Sequence, residues 1–209
     1  TRFQDLGWKV EGVELSSDAV AFGQRTYGIR LKAGDFFDHR FSNKQFDLIT
    51  FNNSLEHLYS PREVLQQVFA MLKDDGMLII TVPNIESLGA KLFRVHWYPL
   101  QPPRHLYHFS PKTIRNMLSS CGFVVTNIKH SYWDHNFYSL FASFRFLTSP
   151  RFTKKKQGGL ANTSYKKTFS PVLEGGKLFA RLFAFTTAIV GALLGQGEVI
   201  TVYAKKNAH

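Results

Sequence analysis

Along the first two-thirds of the chain, short apolar runs alternate with segments whose apolar residues recur every three or four positions. Phe46-Asp47-Leu48-Ile49-Thr50-Phe51 and Met77-Leu78-Ile79-Ile80-Thr81-Val82 read as strands. The second lacks the in-out alternation of a strand open to water, which suits coverage on both faces. Between them Val64, Leu65, Val68, Phe69 and Leu72 line one helical face, and Ser60-Pro61 opens that helix with proline at its first position. Asp74-Asp75-Gly76 predicts the turn into the second strand. Upstream, Trp8 to Leu15 predicts a strand. The Ser16-Ser17-Asp18 cap cluster follows, with a helix through about Arg25, and Gly28 to Leu31 forms a brief strand ending at Gly34-Asp35. Downstream, Ser110-Pro111 starts a helix to about Cys121, Phe123 to Ile128 is a strand, and Val199 to Ala204 is the last strand.

Strands separated by helices of this length imply parallel pairing through right-handed crossovers. The expected fold class is α/β: a Rossmann-like three-layer sandwich with a mostly parallel sheet and a helical insertion before the last strand. Residues 1–131 plus 198–207 form the core in this reading, and 132–197 form a basic, aromatic insertion. In the insertion, Phe137, Tyr138, Phe141, Phe144 and Phe146 read either as ordinary core packing or as a candidate lid.

Charge changes the picture only at the C-terminal end. Of the net +11, residues 1–143 carry 15 Lys/Arg against 13 Asp/Glu, whereas residues 144–209 carry 11 Lys/Arg against only Glu174 and Glu198. Such a block can meet nucleic acid, an anionic membrane or an acidic substrate, or remain a solvated surface. The apolar run Leu178–Leu194 contains Arg181 and, at roughly 17 residues, is short for a membrane span, so it reads as an amphipathic or buried helix. The single Cys121 sits among apolar neighbours and reads as a buried thiol. With no signal peptide visible after Thr1, the expected location is cytoplasmic.

In doubly wound folds, ligands gather at the carboxyl ends of the strands. Glu14 ends one strand, where a carboxylate can accept from both hydroxyls of a ribose. Asp35-Phe36 ends the next, where a carboxylate can accept from an adenine amino group and a phenyl ring can pack on the base. Asn52 and Asn53 follow the strand at 46–51 and face the same space from the other side.

The strings Phe46 to Leu58 with Ser60-Pro61, Leu72 to Asn84, and Arg104-His105-Leu106-Tyr107-His108-Phe109-Ser110-Pro111 together resemble class I S-adenosylmethionine-dependent methyltransferases. The likeness is to the group that includes the ubiquinone-biosynthesis O-methyltransferases. It implies S-adenosylmethionine as cofactor, with Glu14 on the ribose, Asp35 and Phe36 on the adenine, and Asn52 lining the methionine side. Two departures stand out. The strand and glycine-rich loop that should precede the helix ending near Leu6-Gly7 are absent, so the expectation is a chain that has lost an N-terminal segment and has a gap between the strands at 8–15 and 46–51. In the quinone enzymes, an acidic residue three positions before the Glu-His pair helps bind a divalent cation. Asn53 stands there, and Glu56 with His57 alone is a poor metal site, so no metal is expected.

Methyl transfer mainly requires positioning and shielding from water, and an oxygen acceptor adds the need for a base. His57 is the first candidate and His105 the second, with His108 beside it; for His57 a structural loop contact is the competing reading. The Pro-rich stretch Trp97 to Pro103 is expected to be a loop over the site mouth. The function so implied is methylation of a small molecule, with O-methylation favoured. The alternatives are a non-catalytic scaffold, or an enzyme brought to RNA or to a membrane-associated lipid or quinone by its basic C-terminal third.

Overall fold

The computed structural model describes residues 2–130, 139–144 and 174–207. Within them, a single helical turn α1 (Arg2–Asp5) leads to β1 (Glu11–Glu14), which pairs in parallel with β2 (Arg30–Ala33) as a two-stranded sheet joined by α2 (Ser17–Tyr27). α2 begins where the Ser16 hydroxyl accepts from the Ala19 N–H, and it ends at Gly28, whose φ of 63° is the left-handed stop that glycine adopts without steric cost.

A second sheet has the order β3-β4-β6-β5, built from β3 (Phe46–Asn52), β4 (Leu72–Pro83), β5 (Phe123–His130) and β6 (Val199–Lys206). β3 pairs in parallel with β4, and β6 is antiparallel to both β4 and β5, so β6 alone runs against the other three. The α/β alternation and the mostly parallel sheet agree with the sequence pattern. The turn expected at Asp74-Asp75-Gly76 is instead carried inside β4 as an irregularity: the register passes from Phe46↔Leu72 to Leu48↔Met77, so the intervening β4 residues bulge out of the ladder.

The main core lies on one face of the second sheet. Alternate β4 residues Leu78, Ile80 and Val82, with Ile200, Val202 and Ala204 of β6, are fully buried or nearly so under α3 (Pro61–Met71) and α5 (Pro111–Ser120). Val64, Leu65 and Val68 of α3 are at most 2% exposed, which at about 1.5–3 kcal/mol per buried aliphatic side chain is what holds that helix in place. Cys121, 7% exposed, ends α5 within the same core, as its sequence context predicts. A smaller cluster joins α4 (Leu88–Phe93), the helical residues 139–144 (α6) and α7 (Glu174–Leu193) through Phe93, Trp97, Leu140, Ala184 and Ala188. Phe141 and Phe144 pack against this cluster, so these two insertion aromatics are core residues; Phe137, Tyr138, Phe146 and the basic loop around Lys154 lie outside the described residues. No helix among the described residues is long and apolar enough to cross a membrane.

Candidate functional site

A cleft of about 340 Å³ separates the two sheets. One wall is β1, lined by Glu11, Gly12 and Val13; the other is β3, lined by Leu48, Ile49 and Phe51, with no strand between them among the described residues. Its size falls in the range of small-ligand sites and its walls are mainly apolar.

Of the sequence-derived cofactor residues, Asp35 and Phe36 line this cleft, whereas Glu14 and Asn52 do not line it themselves and stand next to residues that do, Val13 and Leu15 for Glu14 and Phe51 for Asn52. The Glu14↔Ala33 register puts the ends of β1 and β2 side by side, and the Gly34 N–H donates to the Glu14 carbonyl at 3.1 Å, locking the two strand ends together. Glu14 is half-buried, and its Oε1 accepts from the Ser16 N–H at 2.9 Å. Asp35 and Phe36 both line the cleft. The Asp35 carboxylate caps the following 3-10 turn by accepting from the Phe37 N–H at 2.9 Å, while Phe36 stacks on Phe41 with ring centroids 6.0 Å apart. Asn52 lies at the carboxyl end of β3, exposed, between the lining residues Phe51 and Ser54; its Oδ1 accepts from the Asn53 amide at 3.2 Å.

The histidines form a separate group behind the end of β3. The 3-10 turn Leu55–His57 follows that strand, and the segment around residues 98–107 folds over it. Leu106 and Tyr107 both donate their N–H groups to the Glu56 carbonyl, at 2.9 and 3.3 Å. This brings the His57 and His105 rings together with centroids 4.7 Å apart. His57 Nδ1 lies 2.8 Å from the Arg104 carbonyl, and His105 Nδ1 lies 2.6 Å from the Pro99 carbonyl. A carbonyl only accepts, so each Nδ1 carries a proton and each neutral ring presents its Nε2 lone pair elsewhere. Burial, partly offset by the Pro99 hydrogen bond, pushes the His105 pKa below the usual histidine value. His108 Nε2 donates to the Leu100 carbonyl at 3.1 Å, and its ring stands 6.5 Å from that of His105.

Two residues gain a significance that their positions in the sequence hide. Glu56 is 1% exposed, and neither carboxylate oxygen has a hydrogen-bond partner. Burial therefore drives its pKa up, outweighing every influence that would lower it. Its carboxylate and the two histidine rings offer ligand atoms that all lie within 4.8 Å of one another. Glu198, 2% exposed, is by contrast fully engaged: it accepts from Gly89 N–H (2.9 Å), Trp97 Nε1–H (2.6 Å) and the Ser139 hydroxyl (3.1 Å). Trp97, from the stretch expected to form a loop over the site mouth, is instead 2% exposed with its indole N–H tied to Glu198. The only sequence signal for Glu198 is a lone acid at the start of an apolar strand.

Comparison with known proteins adds a family-level match. The model of a family described as a methyltransferase domain matches residues 2–128. An uncharacterized protein of Methanocaldococcus jannaschii is 25% identical over 118 residues, and the match spans 56% of each chain, about half the length of that relative. Among solved structures, a SAM-dependent methyltransferase from Archaeoglobus fulgidus superposes with a TM-score of 0.59 at 17% identity, covering 98% of this chain and 79% of that one. Geranyl diphosphate C-methyltransferase from Streptomyces coelicolor, crystallised with Mg2+, geranyl diphosphate and S-adenosylhomocysteine, gives 0.55 at 13% identity over 99% of this chain and 65% of its own. The cyclase SpnF gives 0.57 at 13%, covering 96% and 67%. At these identities the structural likeness establishes the fold, and a cyclase among the neighbours shows that this fold does not by itself fix the reaction.

Proposed function

The chain belongs to the methyltransferase-domain family, and on that premise we propose that the protein transfers a methyl group from S-adenosylmethionine to a small-molecule acceptor, preferentially at oxygen. The observation that carries this reading is that Glu14 and Asp35-Phe36 lie side by side at the carboxyl ends of adjacent parallel strands, with Asp35 and Phe36 lining a largely apolar cleft.

The residues present fit a nucleoside-bearing cofactor. Oε1 of Glu14 is held by its own Ser16 cap, so the side chain is pre-oriented and Oε2 is left for a ribose hydroxyl. Asp35, fixed by its turn, accepts from an exocyclic amine, and Phe36 offers a ring face already braced by Phe41. Asn52 faces the polar end of the ligand. S-adenosylmethionine, when bound, supplies an activated methyl carbon on a good leaving group. The protein then has to place the acceptor in line and exclude water, and the apolar wall formed by β3 serves the second task. The preference for oxygen rests on His57 and His105, whose Nδ1 hydrogen bonds leave Nε2 as a proton acceptor close behind the strand end that bears Asn52.

Calorimetry with S-adenosylhomocysteine tests the cofactor half of this reading. Binding in the micromolar range, weakened by Glu14→Gln, supports it; absence of any binding heat overturns it. Transfer of label from methyl-labelled S-adenosylmethionine to hydroxylated small molecules tests the oxygen preference, and label found only on carbon or nitrogen acceptors refutes it.

A further inference from the structure

We propose that the outer face of α7, together with the turn that follows α4, docks this protein on an anionic lipid surface. The inference does not rest on methyl transfer, since the face uses no residue of the cleft or of the histidine group.

A helix packed on a domain ordinarily turns its large apolar residues inward and its polar ones outward. Over its described side chains, α7 does the opposite. Ala184, Ala188 and Ala192, four positions apart and each at most 5% exposed, face the domain. α4 approaches so closely there that a Cβ on Gly191 would stand 3.3 Å from the Leu88 Cβ. The larger aliphatics lie on the other side: Leu182 is 56% exposed, Val190 45% and Leu193 73%. At about 100° per residue these three fall within about 80° of one another, opposite the alanine stripe. The α4 segment flanks this face. Leu92 lies one turn beyond Leu88, and both Leu92 and Val95 are more than half exposed. Apolar surface gathered in this way marks a site of association, because burying it releases the water that covers it.

Charge selects the occupant. Leu92 and Val95 are interleaved with Lys91 and Arg94, both exposed and neither in an ion pair among the described residues. From Ser87 to Leu173 the sequence carries 13 Lys/Arg against one acid, Asp134. Glu198, the first acid after α7, is buried and taken up by its hydrogen bonds, so it presents no charge outward. An apolar stripe with a basic surround and no accessible carboxylate suits a lipid interface on both counts. The aliphatics enter the acyl boundary, and the cations stay among anionic headgroups.

Topology relates this face to the candidate site. α4 follows the end of β4 at Pro83, and α7 precedes β6, whose first residue Val199 pairs with Pro83. Asn52 pairs with Thr81 at that same end of the sheet. Docking through α4 and α7 therefore holds the end of the sheet that bears the candidate site near the lipid.

The test is flotation of the whole chain with vesicles of phosphatidylcholine alone and of equimolar phosphatidylcholine and phosphatidylglycerol. Binding to the mixed vesicles is expected, and it should weaken by about tenfold on phosphatidylcholine alone, in Leu193→Glu and in Arg94→Glu. Val124→Glu, at an apolar position 45% exposed at the far end of the sheet, should leave binding unchanged. Leu193→Glu should also leave the urea midpoint unchanged, as a side chain turned away from the rest of the protein requires. Absence of flotation, or flotation unaffected by Leu193→Glu, overturns the proposal. So does a lowered urea midpoint in that variant, which would mean that the chain itself covers the face. Self-association abolished by Leu193→Glu, or capture of RNA in place of vesicles, overturns it as well.

Discussion

Replacing Glu198 with alanine removes the acceptor shared by three elements, and its cost follows from the hydrogen bonds it breaks. Gly89 N–H, Trp97 Nε1–H and the Ser139 hydroxyl all point at this one carboxylate from α4, the loop after it and α6. A buried donor left without an acceptor costs about 1–3 kcal/mol. The serine hydroxyl rotates freely about its Cβ–Oγ bond, but the indole and the glycine amide are fixed. Two orphaned donors give a gross loss of about 2–6 kcal/mol. Against this, burial raises the Glu198 pKa despite hydrogen bonds from Trp97, Ser87, Gly89 and Ser139, so ionised Glu198 is itself a burden that the alanine variant sheds. The net expectation is a loss of about 2–4 kcal/mol, a large share of the 5–15 kcal/mol typical of a folded domain. Glu198→Gln keeps the volume and one acceptor oxygen, and should lose only about 1 kcal/mol. Urea unfolding followed by tryptophan fluorescence measures both. A further sign is available from pH. A carboxyl group whose folded pKa is raised stabilises fully below its unfolded value, here 4.5, and that contribution fades as pH rises through the raised folded value. The advantage of the wild type over Glu198→Gln should therefore shrink from pH 4.5 upward and then level off. A loss below about 1 kcal/mol for alanine, or equal losses for alanine and glutamine, would refute the assignment of Glu198 as the shared acceptor.

Other expected outcomes concern the same hub, the cleft and the core. Gly89→Ala should destabilise by about 1–3 kcal/mol in the same urea assay, because a methyl group there would run into the Glu198 carboxylate and the Leu140 side chain. Glu14→Gln should weaken S-adenosylhomocysteine by about tenfold to a hundredfold in calorimetry, the worth of one charge-assisted hydrogen bond of about 1.5–3 kcal/mol, while leaving the urea midpoint within error. Cys121, buried against the Arg62 carbonyl, should resist a thiol reagent in the native state and react as urea opens the core; fast reaction without denaturant would contradict its burial.

The sequence alone set out most of the architecture, because periodicity and caps are local. Pro61 and Pro111 at first helical positions and the Ser16 and Ser110 caps were legible, each found where a residue's own backbone preference puts it, whereas Gly28, read as the start of a strand, is the left-handed stop of the preceding helix. Glu14 and Asp35-Phe36 were legible as strand-end residues, and parallel pairing of β1 with β2 then places them together without further information. Tertiary structure decided what depends on residues distant in sequence. Trp97 looked like a loop aromatic until the fold set Glu198, 101 positions away, against its indole N–H. Glu56 and His57 stood in the sequence with no hint of their neighbour until the segment bearing His105, held by the Glu56 carbonyl, closed over them. A local pattern records the preferences of one stretch of chain. The partner of a buried charge is chosen by which stretches the core brings together, and that choice is written in no single stretch.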